Sequence, residues 1–319
     1  MKRTDLHHAD DVDSEIAVEQ AMKVLKSAPQ DPESHLLMAE VAEEKSSFDQ
    51  ALMWVNQGLR FAPAHPALLL KKASLLLDGF EDLEEAFQAL LAIKQSFGAR
   101  SLAELKNSYD GELLLDIFLL LADCYRLQND FASAFVHASL ASEISATDEA
   151  AILALATAYF ELGDYERTLS MLENIEQRQE QSDFYWLLGQ CRQARGEQIA
   201  ADEAFSQANK IDRNRYHRPI RVSQSVFFSQ FEQACLAMPK EIRDLLDKTN
   251  FEIKEIMSKE QLMSNKNHLS PLACIFINKT NAKHKIFLFQ RNIENLAHKK
   301  GDLRDLIASA LLHELDKLL

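Results

Sequence analysis

One pattern recurs three times at almost constant spacing between Leu115 and about Arg213, and it limits what this chain can become more than any other feature. Windows of about 34 residues opening at Leu115, Glu149 and Ser182 set the same residue types in the same slots. The leading slots hold Phe118, Leu121, Ala122 and Tyr125, then Ile152, Leu155, Ala156 and Tyr159, then Tyr185, Leu188 and Gly189. The trailing slots hold Ala134, Ala138 and Ala141, then Thr168, Leu172 and Ile175, then Ala201, Phe205 and Ala208. Apolar residues three and four apart predict helices, and self-similarity at this period predicts stacked helical hairpins. Each unit then needs only its neighbours for a core, so 319 residues need not gather around one centre.

The pattern extends upstream. A half unit runs from Asp13 through Ala17, Ala21 and Val24 and closes at Ala28-Pro29, where proline cannot continue a helix. One full unit opens near Pro32 and another near Pro66, the second needing an extra residue in its turn at Asp78-Gly79-Phe80-Glu81. Residues 98–114 fall off the period and are expected to form an insertion, either a projecting functional loop or a spacer. Small residues at fixed slots let two helices cross closely, while larger apolar ones fill the space between hairpins. Five full units and a leading half over residues 13–213 resemble the tetratricopeptide repeat (TPR), an α-helical solenoid.

That resemblance implies a concave face lined by the first helix of each hairpin. Carried over slot by slot, the face holds Leu36, Glu40, Glu43 and Glu44, then Leu70, Ser74, Leu77 and Asp78, then Asp116, Leu119, Asp123 and Arg126. The last two units add Leu153, Thr157, Phe160 and Glu161, then Asp183, Trp186, Gln190 and Gln193. The Lys, Asn and Arg clamp with which one TPR subfamily grips acidic chaperone tails is absent from these slots. The implied partner is a basic or amphipathic peptide segment, with Leu36, Leu119, Phe160 and Trp186 as apolar anchors and the acids steering it.

Charge divides the chain at the same place as the pattern. Residues 1–215 carry 19 basic against 37 acidic side chains, and residues 216–319 carry 16 against 12. An acidic array repels phosphate backbones, so nucleic acid is not expected as a partner. The opposite signs also suggest that the C-terminal segment docks on the array as a lid. Residues 1–12 lack periodicity and are expected to be a disordered tail. Four widely spaced cysteines without a CxxC pair, no leader-like start and no apolar span point to a cytoplasmic protein.

After Tyr216 the pattern changes to helix, strands and helix, an α+β order over residues 216–319. Ser225 to Met238 and the stretch after Pro239 read as helices, and Phe251, Ile253 and Ile256 as a strand. Leu272–Asn278 and Lys285–Phe289 read as a hairpin around Lys279-Thr280-Asn281-Ala282, and Asp302–Leu318 as a closing helix. Together with Phe231, the Ala237-Met238-Pro239 turn, the run Ile286 to Arg291 and His313-Glu314, this order resembles the minimal bacterial zincin-like metallopeptidases.

An active member needs HExxH, two histidines binding zinc and a glutamate activating its water. Here the second ligand position is Lys317, whose deprotonation at neutral pH costs about 4–5 kcal/mol. No downstream segment supplies a third ligand, and His217, His268, His284 and His298 show no ligand spacing. The expected function is therefore an interaction scaffold with a non-catalytic zincin-like domain and no cofactor. The alternative is a zinc peptidase with His313 as ligand and Glu314 as base, its array recruiting substrate.

Overall fold

The computed structural model describes residues 18–80, 82–175, 181–256, 273–276 and 284–316, with backbone alone for 274–276. Residues 1–12, the expected tail, lie outside them, as do the 279–282 turn and Lys317. Helix α1 spans 18–27, and Ala21 is its buried contact. Five hairpins follow among the described residues. They are α2 (Pro32–Glu44) with α3 (Phe48–Phe61), α4 (Pro66–Gly79) with α5 (Leu83–Phe97), and α7 (Gly111–Leu127) with α8 (Phe131–Ile144). The last two are α9 (Glu149–Glu161) with α10 (Tyr165–Leu172), and α11 (Ser182–Ala194) with α12 (Gln198–Ile211). The short helix α6 (Leu102–Ser108) stands between the second and third.

The hairpin turn recurs because its chemistry recurs. Ser46, Asn129, Gly163 and Gly196 take positive φ of 55°, 62°, 77° and 78°, each one residue before the second helix is capped. The following N–H reaches back to close the turn: Ser47 donates to Ala42 at 2.8 Å, and Asp130, Asp164 and Glu197 donate to Tyr125, Tyr159 and Arg192 at 2.9 Å. This ties off carbonyls that the first helix leaves unsatisfied. Asp130 and Asp164 then accept the N–H groups of Ser133 and Arg167 and so start the second helix. In the second hairpin Asp82 reaches back to Leu76 instead, across the extra residue that the spacing requires.

Small slots set the approach of the helices. A methyl on Gly189 would lie 2.6 Å from the Phe205 ring, and one on Gly58 would lie 2.7 Å from Leu68. Neither position has room for a side chain without moving its neighbour.

Two features of this region lie off the repeat period. Helix α7 starts at Gly111, ahead of the Leu115 window, because Asp110 accepts the N–H groups of Glu112 and Leu113. The 98–114 insertion does not project. Ser101 and Glu104 form a capping box that starts α6, Leu105 is buried, and Lys106 Nζ donates to the Glu143 carbonyl at 2.8 Å.

The chain forms two compact units, residues 1–151 and 152–319. The division falls inside α9 and not at residue 215, so the last hairpins group with the segment after Tyr216. Within the second unit, α13 (Gln224–Ala237) and α14 (Lys240–Leu246) precede three strands, β1 (Thr249–Lys254), β2 (Ala273–Phe276) and β3 (His284–Phe289). The sheet order is β1-β3-β2, with β1 parallel and β2 antiparallel to β3. Central β3 is buried from Ile286 through Phe289, as a strand flanked on both sides should be.

Helices α15 (Gln290–Leu296) and α16 (Asp302–Leu315) close the unit. Phe227, Phe231, Ile286, Leu288, Ile307 and Leu311 share its core. Gln290 and Arg291, directly after the strand, open α15, where both side chains bind Glu294 about one turn on.

Candidate functional site

In the first unit the first helices α2, α4 and α7 lie against one another, so their slots line one surface. Glu40, Glu43, Lys71 and Asp116 are its centre. Lys71 Nζ meets Glu43 Oε2 at 2.8 Å. Burial raises the Glu40 carboxyl above the ordinary range. Lys71 opposes the rise, and Glu43, Glu44 and Glu33 add to it. Burial also raises Asp116, helped by Glu112 and Asp148 and opposed again by Lys71. Half-buried Glu40 and exposed Asp116 thus share the field of one ammonium and repel their neighbours.

The remaining expected residues of this unit divide. Glu44 is exposed. Leu36 and Leu119 are half-buried, each leaning on the core beneath it. Asp123 is already paired with Arg126 at 3.3 Å along one helix, which leaves it less free to meet a ligand. Lys71, Glu112 and Asp148 were not among the residues carried over, because slots counted along one helix do not report what a neighbouring helix brings across.

The second unit places its slots differently. Phe160 is not a surface anchor. It is 6% exposed and tilted against Tyr165 at 5.6 Å, filling its own hairpin. Glu161 and Gln190 are half-buried. Trp186 is covered by the chain that follows the repeats: it stacks on Tyr216 at 4.8 Å and leans on Phe205 at 4.8 Å. Asp183 accepts from Arg215 at 3.1 Å and from the Tyr216 hydroxyl. Gln193, 4% exposed, donates to Asn292 and accepts from Asn295, both at 3.2 Å.

Arg221 completes this seam. It donates to Asp202 at 2.6 Å, to Asn295 at 3.0 Å and to Glu294 at 3.3 Å. Glu294 is wholly buried and also accepts from Arg291, from Gln290 and from the Val222 N–H.

On α16, His313 is exposed while Glu314 is 2% exposed. Among the described residues no three His, Cys, Asp or Glu side chains are grouped to hold a metal ion. Cys124, Cys191 and Cys235 are free, with their thiols pushed up to about 11, 12 and 11 by burial. They stay protonated at neutral pH and are poor nucleophiles. No described helix is long and apolar enough to cross a membrane.

No protein-family model matches the sequence, and no curated protein matches it. Solved structures share its fold. Pseudomonas aeruginosa PilF is 16% identical, with a TM-score of 0.51 over 66% of this chain and 89% of that one. PilW, a type IV pilus biogenesis factor, is 18% identical, with a TM-score of 0.50 over 64% and 89%. YrrB, described as a TPR protein with an unusual peptide-binding site, is 15% identical, with a TM-score of 0.46 over 62% and 94%. The fold is a TPR-like helical repeat.

Proposed function

We propose that the chain is an interaction scaffold that holds a basic or amphipathic peptide segment on the acidic first-helix face of residues 1–151, in a cytoplasmic setting. The observation that carries this is the pair Glu40 and Asp116, whose carboxyls are both raised by burial and by surrounding acids. The folded state binds their protons more tightly than the unfolded chain does. The first unit therefore loses stability on their account as pH rises through the ordinary carboxylate range. A lysine or arginine brought to that face would relieve the repulsion.

The experiment is a titration with a labelled twelve-residue peptide of alternating lysine and leucine, against a glutamate and leucine counterpart. The basic peptide is expected to bind, with affinity falling as salt rises. Removing both charges in Glu40→Gln, Asp116→Asn should weaken it by about tenfold. Equal binding of the acidic peptide, or an unaffected double variant, would refute the proposal.

For residues 216–319 the reading is a zincin-like module without catalysis. The exposure of His313 and the burial of Glu314 support it, because a base must open on the same space as the metal that its water binds. Stoichiometric zinc in the purified chain, with peptide cleavage lost in Glu314→Gln, would establish the peptidase instead.

A further inference from the structure

Between α1 and the first hairpin lies an open cleft of about 420 Å³. Met22 and Leu25 of α1 form one wall, and Trp54 and Phe61 of α3 form the other. Several groups here are more exposed than apolar side chains need be: Phe61 is 55% exposed and Met22 40%. The base of the cleft is the His35 ring, 3% exposed, which is 5.9 Å from Trp54 and stacked 6.2 Å from Phe61.

His35 Nε2 lies 2.9 Å from the Pro29 carbonyl, which can only accept, so that nitrogen carries the proton. Nδ1 is then an acceptor, and it is buried with no hydrogen-bond partner. Such an orphan needs an explanation. Charge supplies the second half of the argument. Residues 1–151 hold 12 basic against 26 acidic side chains, yet the two charged side chains lining this cleft, Lys26 and Arg60, are both cations. Both are exposed, and neither has an ion-pair partner among the described residues.

We propose that this cleft is a second docking site, opposite in preference to the acidic face, and that it takes a short acidic peptide segment. One aliphatic or aromatic side chain enters between Trp54 and Phe61, flanking carboxylates meet Lys26 and Arg60, and a backbone N–H of the segment is the donor that Nδ1 lacks. A tryptophan, a phenylalanine, a methionine and an arginine around one small apolar recess are residue types enriched at interfaces. The scaffold thereby holds two segments of opposite charge, from one partner or from two.

The test uses the full chain with Trp186→Phe, which leaves Trp54 as the sole tryptophan. An acetylated pentapeptide with leucine and phenylalanine flanked by glutamates is titrated while Trp54 emission is followed. The same pentapeptide flanked by lysines is the control. Saturable change with the acidic peptide alone is expected. Affinity should fall by about tenfold in Arg60→Glu and again in Phe61→Ala. Circular dichroism verifies that the variants fold, and Phe61→Leu, which keeps the apolar wall, should retain most of the binding.

Equal response to both peptides, no saturable response, or full affinity in folded Arg60→Glu would overturn the proposal. So would a Trp54 response that follows protein concentration without peptide, since a second copy would then be the occupant. Binding of the twelve-residue basic peptide to the acidic face is measured in parallel, and its loss would leave this result standing.

Discussion

The first helices of residues 1–151 and those of residues 152–212 occupy equivalent places in the repeat, yet their polar slots meet opposite environments. In the first unit, half-buried Glu40 and exposed Asp116 stand among other acids, and both feel the charge of Lys71. In the second, Asp183 and Gln193 are each met by a donor from the chain after residue 212, as is Asp202 on the second helix α12. One surface keeps a charge imbalance that a partner could relieve, and the other has been neutralised by its own polypeptide. A repeat can therefore present the same type of slot as a docking face or as an internal joint. The segment that covers it decides which.

The largest test of this contrast strikes the joint. Glu294 is fully buried and lies 3.3 Å from Arg221 and 2.9 Å from Arg291. Glu294→Ala leaves both guanidinium groups facing a low-dielectric site without their counter-ion, and should cost about 3–5 kcal/mol. Chemical unfolding of the full chain, followed through Trp186 in a Trp54→Phe background, reads the second unit selectively. A loss below about 1 kcal/mol would show that the seam is solvated and that the two surfaces are alike after all.

A smaller effect is expected in the first unit. Lys71 and Glu43 are paired at 2.8 Å with side chains 21% and 27% exposed. Lys71→Met should cost only about 1 kcal/mol, because water still screens the pair. The same change removes the one positive field acting on both Glu40 and Asp116, so it should tighten binding of the basic peptide while it loosens the fold. Weaker binding in Lys71→Met would mean that Lys71 builds the face and does not compete with the ligand.

Much of the repeat was legible because helical period, small slots and turn residues all act locally. The extra residue near Gly79 could be counted directly, whereas the left-handed turns at Asn129, Gly163 and Gly196 emerged only from the structure. The start of α7 was missed by one turn, since Asp110 overrides the apolar window as a cap. The docking face was less legible. Leu119 and Glu40 are half-buried, whereas Phe160 turns into its own core. The cover over Trp186 comes from Tyr216, thirty positions on, a tertiary fact that no period encodes. The cleft at Trp54 was invisible for a related reason. Its walls come from a half unit and a full unit, and its two cations, Lys26 and Arg60, sit in different helices.

The smallest expected effect concerns pH at the edge of the joint. His217 and His298 rings lie 4.0 Å apart, and His217 Nε2 is buried without a hydrogen-bond partner. Burial holds the His217 imidazole below its ordinary value of 6.5, and His298 lowers it further. The Asn295 carbonyl and Asp302 pull the other way. The folded state therefore binds this proton less readily than the unfolded chain does. Below pH 6.5 the unfolded state takes up the proton first, so stability from this group is fully present above that pH and declines as pH falls toward the folded value. Thermal melts of the full chain, read through Trp186 at pH 7.5 and 5.5, should show a lower midpoint at pH 5.5. His217→Gln should reduce that difference, and His298→Asn should reduce it less, because desolvation outweighs the neighbouring ring. If His298→Asn removed the whole pH dependence, charge repulsion and not burial would govern the pair, and this side of the joint would resemble the acidic face after all.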